Sequence, residues 1–325
     1  ENLLELLDYY ESEKELAKIF SCFSFITCEA FGGEEELAEE ISRVCEAFFL
    51  ATSVHDDVVD KKDSSLNELS DVQKANNFMV LGDILFVKLA VHLSKASRLM
   101  SKESFQNVCS KLERYLNLVG KSQLMDGDER YKINSIEKAY THIKMRGGIW
   151  GKIVMEIPAL AASAPMEEAE VMGKSGELLF SALTIRDDLE DLEDELRNGV
   201  YTLPLILLIR NSEIMRKDEK LLKEFLSERK QDKLKQVMGL LYKYKTVDFA
   251  LRECVRFCLD ANEKLEVVLK DKKGMKWYMI KMIFQMITDS FMRITPEIVR
   301  KGLLSTKSLR KKLEKMRKSN LNKSL

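Results

Sequence analysis

The chain has 325 residues, of which 45% are hydrophobic and 32% are charged, so it is long and apolar enough to fold around a large core. The formal net charge is −1 and no stripe of basic residues alternates with aromatic ones, which argues against nucleic acid as a partner. Four prolines and 14 glycines are too few for the turns of a β-rich fold, and we therefore expect an all-α protein.

The amino-terminal stretch, ENLLELLDYYESEKELAK, places leucines at helical spacing among charged residues. It lacks the basic segment and apolar run of a secretory signal, so we expect a cytoplasmic protein. Helical spacing continues along the chain, and polar or glycine-containing breaks occur at residues 31–36, 61–71, 126–134, 163–168, 197–204 and 270–275. The long helices between these breaks predict a single large helical-bundle domain over residues 1–325.

The six cysteines form no CxxC pair and no dense disulfide pattern, which agrees with a reducing compartment. Cys254 and Cys258 lie one helical turn apart, a spacing that suits either a metal site or two small core residues. The core interpretation is favoured because unpaired cysteines are usually buried.

The first acidic stretch, VHDDVVDKK at residues 54–62, follows the apolar run FFLATSV. Asp56, Asp57 and Asp60 have the spacing i, i+1 and i+4, which places three carboxylates in one sector of a helix. An acidic face in water is the simpler explanation for such a triplet. The apolar residues before and between the aspartates favour a site at the end of a buried helix instead.

The most apolar run, residues 147–164, contains Lys152, Glu156 and Pro158. It falls short of the roughly 20 clean apolar residues that span a bilayer, so we predict a buried helix and no membrane span.

The second acidic stretch, IRDDLEDLEDE at residues 185–195, follows the apolar run LLFSALTI and repeats the spacing with Asp187, Asp188 and Asp191. Six neighbouring carboxylates repel one another and require positive charge to remain ionised together. Oxygen ligands with excess negative charge favour Mg²⁺, which commonly completes its shell with phosphate oxygens. The two stretches therefore predict a shared magnesium site.

The carboxyl-terminal segment, about residues 300–325, is strongly basic. A solvated helix or tail is the commoner explanation for such a run, and a contact with a membrane or with phosphate is the alternative.

The chain resembles the all-trans polyprenyl diphosphate synthases, which have the isoprenoid synthase fold. The resemblance rests on these stretches, in order: SVHDDVVD (53–60), LGDILFVKLA (81–90), GKSQLMD (120–126), AYTHI (139–143), LTIRDDLED (183–191) and NGVYTLPLILL (198–208). It implies a homodimeric enzyme in which both acidic motifs face a deep apolar cavity and bind about three Mg²⁺ ions with an allylic prenyl diphosphate. Loss of the diphosphate would then leave an allylic carbocation in a dry pocket.

The chain departs from this family where cationic side chains hold the second substrate, isopentenyl diphosphate. Lys18 is retained in LAKIFSC (16–22), but Phe20 and Ser21 replace an arginine and a proline, and DSSL (63–66) replaces an arginine pair. A Lys-Thr pair is replaced by Gly147 and Gly148, and a glutamine by Thr184. The cations that remain as candidate diphosphate ligands are Lys18, Lys61, Lys62, Lys144, Arg146, Lys152 and Arg186.

These losses leave three functional hypotheses. The chain elongates an allylic diphosphate with isopentenyl diphosphate or another acceptor, or it is a terpene synthase that ionises one prenyl diphosphate without an acceptor. The third hypothesis is a non-catalytic partner subunit, which six intact aspartates argue against.

The helix before the first motif predicts the wall of the cavity. Thr52 and Ala51, four and five residues before Asp56, are small, and Phe48, one further turn down, lies roughly 12 Å below Asp56 as a candidate floor. This pattern predicts a substrate or product of about twenty carbons or more. Gln123 and Asp126 are further wall candidates. His55 is either a base or a hydrogen-bonded structural group. Three rings either face the cation or pack in the core: Tyr140, His142 and Trp150.

Overall fold

The computed structural model describes residues 15–60, 71–128, 135–211, 213–228, 231–270 and 272–294. The α-helices are α1 (Glu15–Ala30), α2 (Glu35–Asp60), α3 (Asp71–Ala96), α4 (Lys102–Asp128), α5 (Ile136–Ile143), α6 (Ile149–Ala161), α7 (Met166–Glu190), α8 (Leu192–Arg197), α9 (Leu203–Ile209), α10 (Arg216–Glu228), α11 (Leu234–Lys243), α12 (Thr246–Leu269) and α13 (Met275–Ile294). A π-helical turn (Lys144–Gly148) joins α5 to α6, and a short 3₁₀ turn (Gln231–Lys233) precedes α11. No strand occurs in these ranges, which confirms the all-α prediction.

Helix α6 is the centre of the bundle, and 11 of its 13 residues are buried. This confirms that the apolar run at 147–164 forms a buried helix. Its neighbour α7 runs antiparallel to it and approaches so closely that glycines are required at the contact. A Cβ added at Gly176 would overlap the backbone of Gly151, and one added at Gly148 would lie 2.5 Å from the hydroxyl of Ser181. We call the line of contact formed by Gly147, Gly148, Gly151, Gly173 and Gly176 the glycine seam.

Helices α1 and α2 pack on the other side of α6. Phe20 and Thr27 of α1 contact Trp150 and Met155 of α6 in the same order, so α1 is parallel to α6. Helix α2 returns antiparallel to α1 and places Phe49 against Phe20, with ring centroids 4.3 Å apart. The carboxyl-terminal ends of α2 and α7 therefore point toward the same end of the bundle, where the π-helical turn precedes α6.

Helix α12 covers the far face of α7, and α13 packs on α12. The Ser175 hydroxyl donates to the Ala261 carbonyl (2.6 Å), and the Asn262 amide donates to the Thr288 hydroxyl (2.9 Å). Cys254 and Cys258 are buried at this contact as free thiols, which confirms the core prediction for this pair. Burial raises the pKa of Cys258 to about 12, so this thiol stays protonated and apolar.

Among the described charged side chains, Glu156 is the least exposed, at 0%. It accepts a hydrogen bond from the hydroxyl of Tyr115 and lies 2.6 Å from the Lys111 ammonium group, which binds Glu170 as well (3.1 Å). Burial and the neighbouring Glu156 carboxylate raise the pKa of Tyr115, so the phenol remains a hydrogen-bond donor. This network joins α4 to the glycine seam.

One helical stretch in the described residues, Asn76–Ala96 within α3, is long and apolar enough to cross a membrane, and 22% of its most apolar window is buried. Length and composition alone are weak evidence for a span, so the absence of a membrane span stays a prediction. The exposed apolar side chains recur at helical spacing and include Val80, Val87 and Val91. Helix α3 therefore has one apolar face that no described residue covers.

Candidate active site

The first acidic motif occupies the last two turns of α2. Asp56 is half-buried. The structure does not describe the side chains of Asp57 and Asp60, and Lys61 and Lys62 lie outside the described residues. His55 packs so closely on α3 that a Cβ at Gly82 would overlap its imidazole ring. The centroids of the His55 and Phe86 rings are 5.9 Å apart. This environment favours the packing role for His55, and it explains the glycine in the LGD segment.

The second acidic motif lies at the carboxyl-terminal end of α7. Asp188 is buried and accepts a hydrogen bond from the Arg146 guanidinium group. Asp187 is exposed and pairs with Arg186 (2.9 Å). Asp191 is exposed at the helix end, and its amide donates to the Asp187 carbonyl (3.0 Å), so the predicted one-turn spacing is retained.

The placement of these carboxylates creates an electrostatic cost. The carboxyl-terminal end of a helix carries partial negative charge, and neither α2 nor α7 has a basic residue in its last turn. Aspartates at two such ends are stable together when a cation binds between them, and their oxygens suit Mg²⁺. Among the side chains that the structure describes, no three acidic, histidine or cysteine groups lie close enough to hold a metal ion. That Asp187, Asp188 and Asp191 form one half of such a site stays a prediction.

The π-helical turn brings candidate diphosphate ligands to this end of the bundle. Lys144 and Arg146 lie on this turn and are half-buried. Lys152 lies on α6 instead, and its side chain packs beside Gly173, about four helical turns before Asp188 on α7. π-Helical turns are rare and are often found at functional sites. Gly147 has a steric role here, because a Cβ would overlap the hydroxyl of Thr184, the residue that replaces the family's glutamine. The positions of the lost Lys-Thr pair and of the lost glutamine therefore lie against each other.

The two other candidate cations that the structure describes, Lys18 and Arg186, lie on α1 and α7. Lys18 is exposed on the first turns of α1. Arg186 pairs with Asp187 and with Glu190 (3.3 Å), and its guanidinium group lies 6.0 Å from the ring of Phe291 on α13. The structure thus brings Arg146 to the second motif, whereas Arg186 bridges exposed acids on its own helix.

Tyr140 packs toward α12. Its hydroxyl donates to Glu253 (2.5 Å), and Arg256 binds the same carboxylate through two hydrogen bonds. Burial and the hydrogen bond to Glu253 raise the pKa of Tyr140, so the phenol stays protonated. His142 is buried on the same helix. These contacts favour the packing role for Tyr140 over that of a ring facing a cation.

Five aromatic rings meet below the two motifs, and we call them the aromatic cluster: Phe20, Phe48, Phe49, Trp150 and Phe180. Phe20 stacks on Trp150 at 5.8 Å, and Phe48 and Phe49 contact Trp150 edge-on at 5.5 and 5.3 Å. The sequence resemblance predicts an arginine at the position of Phe20, in which case an apolar ring replaces a cation. Sequence reasoning proposed Phe48 and Trp150 separately but missed their contact and missed Phe49 and Phe180.

The predicted wall residues lie on α2 and α4. The Gln123 amide donates to the backbone carbonyl of Thr52 (3.1 Å), which places α4 beside the turn before the motif. Phe48 belongs to the main core, and Ala51 belongs to a smaller cluster between α1, α2 and α3. The side chain of Asp126 lies outside the described residues. The wall assignments stay predictions.

Comparison with known proteins agrees with this arrangement. The chain is 28% identical over 190 residues to the nonaprenyl diphosphate synthase of Mycobacterium tuberculosis, covering 52% of each chain. It is 27% identical over 207 residues to the geranylgeranyl diphosphate synthase of Sulfolobus acidocaldarius, covering 60% of this chain and 62% of that protein. The matched region thus spans between half and two thirds of these relatives.

A crystal structure of a geranylgeranyl pyrophosphate synthase superposes with a TM-score of 0.75 over 88% of this chain and 91% of the other, at 16% identity. At that identity the superposition supports the fold alone, and it confirms the isoprenoid synthase architecture. The sequence model of the family described as Polyprenyl synthetase matches residues 14–241, which include both acidic motifs. The chain therefore belongs to the polyprenyl synthetase family.

Proposed function

We propose that the chain is a Mg²⁺-dependent prenyltransferase that ionises an allylic prenyl diphosphate and joins the prenyl group to isopentenyl diphosphate or another acceptor. The observation that carries this proposal is the convergence of two acidic helix ends and one cationic turn at the same end of an apolar bundle. Family membership and the names of the two relatives support the same reaction class.

In this proposal the aspartates of both motifs, Asp56, Asp57, Asp60, Asp187, Asp188 and Asp191, hold about three Mg²⁺ ions. Bound metal would supply positive charge to the departing diphosphate. Arg146, which donates to Asp188 at the second motif, would also donate to phosphate oxygens, and Lys144 lies on the same turn. These side chains orient the diphosphate at the mouth of the bundle.

The aromatic cluster defines the other end of the proposed pocket. Phe48 and Phe49 lie eight and seven residues before Asp56, which corresponds to a depth of roughly 10 to 12 Å along the helix. Their rings, with those of Phe20 and Trp150, exclude water and present π-faces to an allylic cation. We propose that this cluster is the floor of the prenyl pocket.

A second function, that of a terpene synthase, is favoured by one specific observation. Phe20 is buried in the aromatic cluster at the position where the family binds isopentenyl diphosphate with a cation. An aromatic ring there suits a carbocation that cyclises or loses a proton better than it suits a second diphosphate.

Incubation with Mg²⁺ and prenyl diphosphates of ten, fifteen and twenty carbons, with and without isopentenyl diphosphate, tests these functions. A longer prenyl diphosphate that forms only with isopentenyl diphosphate supports elongation. A hydrocarbon or alcohol that forms without it supports the terpene synthase. No product from any substrate would contradict both and leave a non-catalytic partner subunit.

We also propose that the enzyme is a single-domain cytoplasmic protein that works as a homodimer. The free state of all six cysteines supports a reducing location. The uncovered face of α3, with Val80, Val87 and Val91, is apolar enough to pair with the same face of a second copy. Measurement of the mass in solution by light scattering tests this, and a monomer at micromolar concentration would contradict it.

Arg146→Gln is expected to raise the KM for the prenyl diphosphate by roughly 10- to 100-fold, because a charge-assisted hydrogen bond to phosphate contributes about 1.5–3 kcal/mol. Arg146→Lys should recover part of the loss. Lys138→Gln, on the exposed face of α5, is the matched control and should leave the KM unchanged. Equal kinetics for the Arg146 and Lys138 variants would remove Arg146 from the diphosphate site.

Trp150→Leu is expected to lengthen the product by at least one five-carbon unit, because it removes the ring on which Phe20, Phe48 and Phe49 converge. Mass spectrometry of the dephosphorylated products measures the change. Phe25→Leu, on α1 and outside the aromatic cluster, should leave the product length unchanged. An unchanged product from Trp150→Leu would place the floor elsewhere.

A further inference from the structure

The π-helical turn between α5 and α6 encloses one more residue than an α-helical turn does. The Ile149 amide donates to the Lys144 carbonyl, five residues earlier, whereas an α-helix joins residues four apart. If this turn became α-helical, the residues before it would shift by one position, which corresponds to a rotation of about 100°. Lys144 and Arg146 lie within the turn. The direction of their side chains therefore depends on which form the backbone adopts.

The glycine seam fixes the carboxyl-terminal side of the turn. A Cβ at Gly147 would overlap the Thr184 hydroxyl, and one at Gly148 would lie 2.5 Å from the Ser181 hydroxyl. These contacts set the position of the turn on α7, and they do not involve α5. The turn keeps its extra residue when α5 is fixed as well, so the contacts of α5 determine its form.

Tyr140 joins α5 to α12 through the buried carboxylate of Glu253. The Tyr140 hydroxyl donates to this carboxylate (2.5 Å), and Arg256 donates two more hydrogen bonds to it (2.9 and 2.6 Å). The Tyr140 ring also meets Phe257 edge-on, with ring centroids 6.0 Å apart. A hydrogen bond from a phenol to a carboxylate is charge-assisted and directional. We call Tyr140, Glu253 and Arg256 the tyrosine clamp.

The tyrosine clamp distinguishes one register of α5 from the next. Rotation of α5 by one residue would place Ala139 or Thr141 opposite Glu253. Alanine has no side-chain donor, and threonine is too short to reach a carboxylate that a tyrosine reaches across its ring. Ala139 and Ile143 are buried in the same register, but apolar contacts are not directional. The hydrogen bond of Tyr140 is therefore the contact that is lost outright when the register changes.

We propose that Tyr140 and Glu253 are positioning residues that hold α5 in the register of the π-helical turn, so that Arg146 points at Asp188 and at the diphosphate of the substrate. This inference rests on the proposed function, because Arg146 contributes to the reaction only if a diphosphate binds beside it. The tyrosine clamp acts through Arg146 and does not itself contact the substrate. It adds to the site two residues from helices that carry no acidic motif.

Tyr140→Phe tests the proposal, because it removes the hydroxyl and keeps both the ring and the ion pair of Glu253 with Arg256. Calorimetry with inorganic diphosphate and Mg²⁺ measures binding without turnover. The variant is expected to bind diphosphate roughly tenfold more weakly, because loss of a charge-assisted hydrogen bond releases α5 and turns Arg146 away from the phosphate oxygens.

Tyr244→Phe is the matched control, because it removes the same kind of hydrogen bond elsewhere in the protein. The Tyr244 hydroxyl donates to Asp218 (2.8 Å) and joins the end of α11 to α10. This variant should bind diphosphate as the wild type does. Circular dichroism verifies that both variants keep their helical content.

Hydrogen exchange of backbone amides gives a second readout, which does not depend on diphosphate. The amides of residues 139–149 should exchange faster in Tyr140→Phe than in the wild type, because α5 and the π-helical turn open more readily without the tyrosine clamp. Tyr244→Phe should exchange there at the wild-type rate. Unchanged exchange in Tyr140→Phe would overturn the proposal.

The double variant Tyr140→Phe with Arg146→Gln separates positioning from general support of the fold. If the tyrosine clamp acts through Arg146, the double variant binds diphosphate no more weakly than Arg146→Gln alone, because the positioned side chain is already absent. Additive losses would overturn the positioning role, since Tyr140 would then act independently of Arg146.

Binding by the wild type separates failure of this inference from failure of the proposed function. No binding of diphosphate by the wild type would contradict the proposed function and, with it, the positioning role. Normal wild-type binding together with unchanged binding by Tyr140→Phe would overturn the positioning role alone, because the glycine seam would then suffice to hold Arg146. Equal losses in Tyr140→Phe and Tyr244→Phe would overturn it too, because the effect would not be specific to α5.

Discussion

Asp188→Ala is expected to lower kcat by about 10³-fold at saturating Mg²⁺. Asp188 is the buried carboxylate of the second motif, and in the proposed site loss of this metal ligand would remove several kcal/mol of stabilisation from the developing diphosphate charge. Asp188→Asn keeps the shape and the acceptor for Arg146 but removes the charge, and we expect nearly the same loss. Steady-state assays of product formation over a range of Mg²⁺ concentrations measure both effects.

Asp194→Ala provides the matched control for this prediction. Asp194 lies six residues further along, is exposed on α8 and pairs with Arg197. Its removal should change kcat by less than about twofold, because exposed ion pairs contribute little. Full activity in Asp188→Ala would refute the shared metal site and, with it, the proposed chemistry.

Gly176→Ala is expected to lower the free energy of unfolding by about 3 kcal/mol, which corresponds to a decrease of about 4 °C in Tm for a chain of this length. The added methyl group would overlap the backbone of Gly151, and backbone atoms cannot rotate away as a side chain can. Helices α6 and α7 would have to separate along the glycine seam. Thermal unfolding followed by circular dichroism measures the change.

Gly120→Ala separates this steric effect from the general effect of glycine in a helix. Gly120 lies inside α4, and an added Cβ there meets no atom within 4 Å. This substitution should stabilise the protein by about 0.5–1 kcal/mol, because alanine loses less backbone entropy in a helix. Similar changes in both variants would show that the close contact at Gly176 does not limit stability.

The second acidic stretch illustrates how far spacing alone can predict a site. The one-turn relation between Asp187 and Asp191 is present, since their backbone groups are hydrogen-bonded. Asp187 and Asp188 nevertheless differ, because successive helical residues point about 100° apart and Asp188 alone turns into the bundle. Its partner, Arg146, lies 42 residues earlier, and that contact depends on how two helices pack.

Gly147 and Gly148 show the opposite case, in which a sequence difference was visible but its physical role was not. The sequence indicated the loss of two family residues at these positions. The structure adds that Thr184 and Ser181 of α7 occupy the space that side chains would need there. Helical periodicity describes one helix at a time, so steric exchange between two helices lies beyond it.

Phe20 shows both what the sequence predicts and what only the packing of helices adds. The sequence resemblance predicts that it replaces a cation, which raises the question of the second substrate. Its contacts with Phe49, Trp150 and Phe180 join three other helices, α2, α6 and α7, and only tertiary structure brings these rings together. The aromatic side chain at this one position thus helps to form the floor of the proposed pocket.

The glycine seam has a mechanical consequence. Where backbone meets backbone, as at Gly151 and Gly176, no rotamers can yield when a ligand arrives, so α6 and α7 form one rigid frame. Arg146, on the turn before α6, and Asp188, at the end of α7, are therefore held at a constant separation. Directed evolution of product length should accordingly accumulate changes among the aromatic rings and avoid the seam.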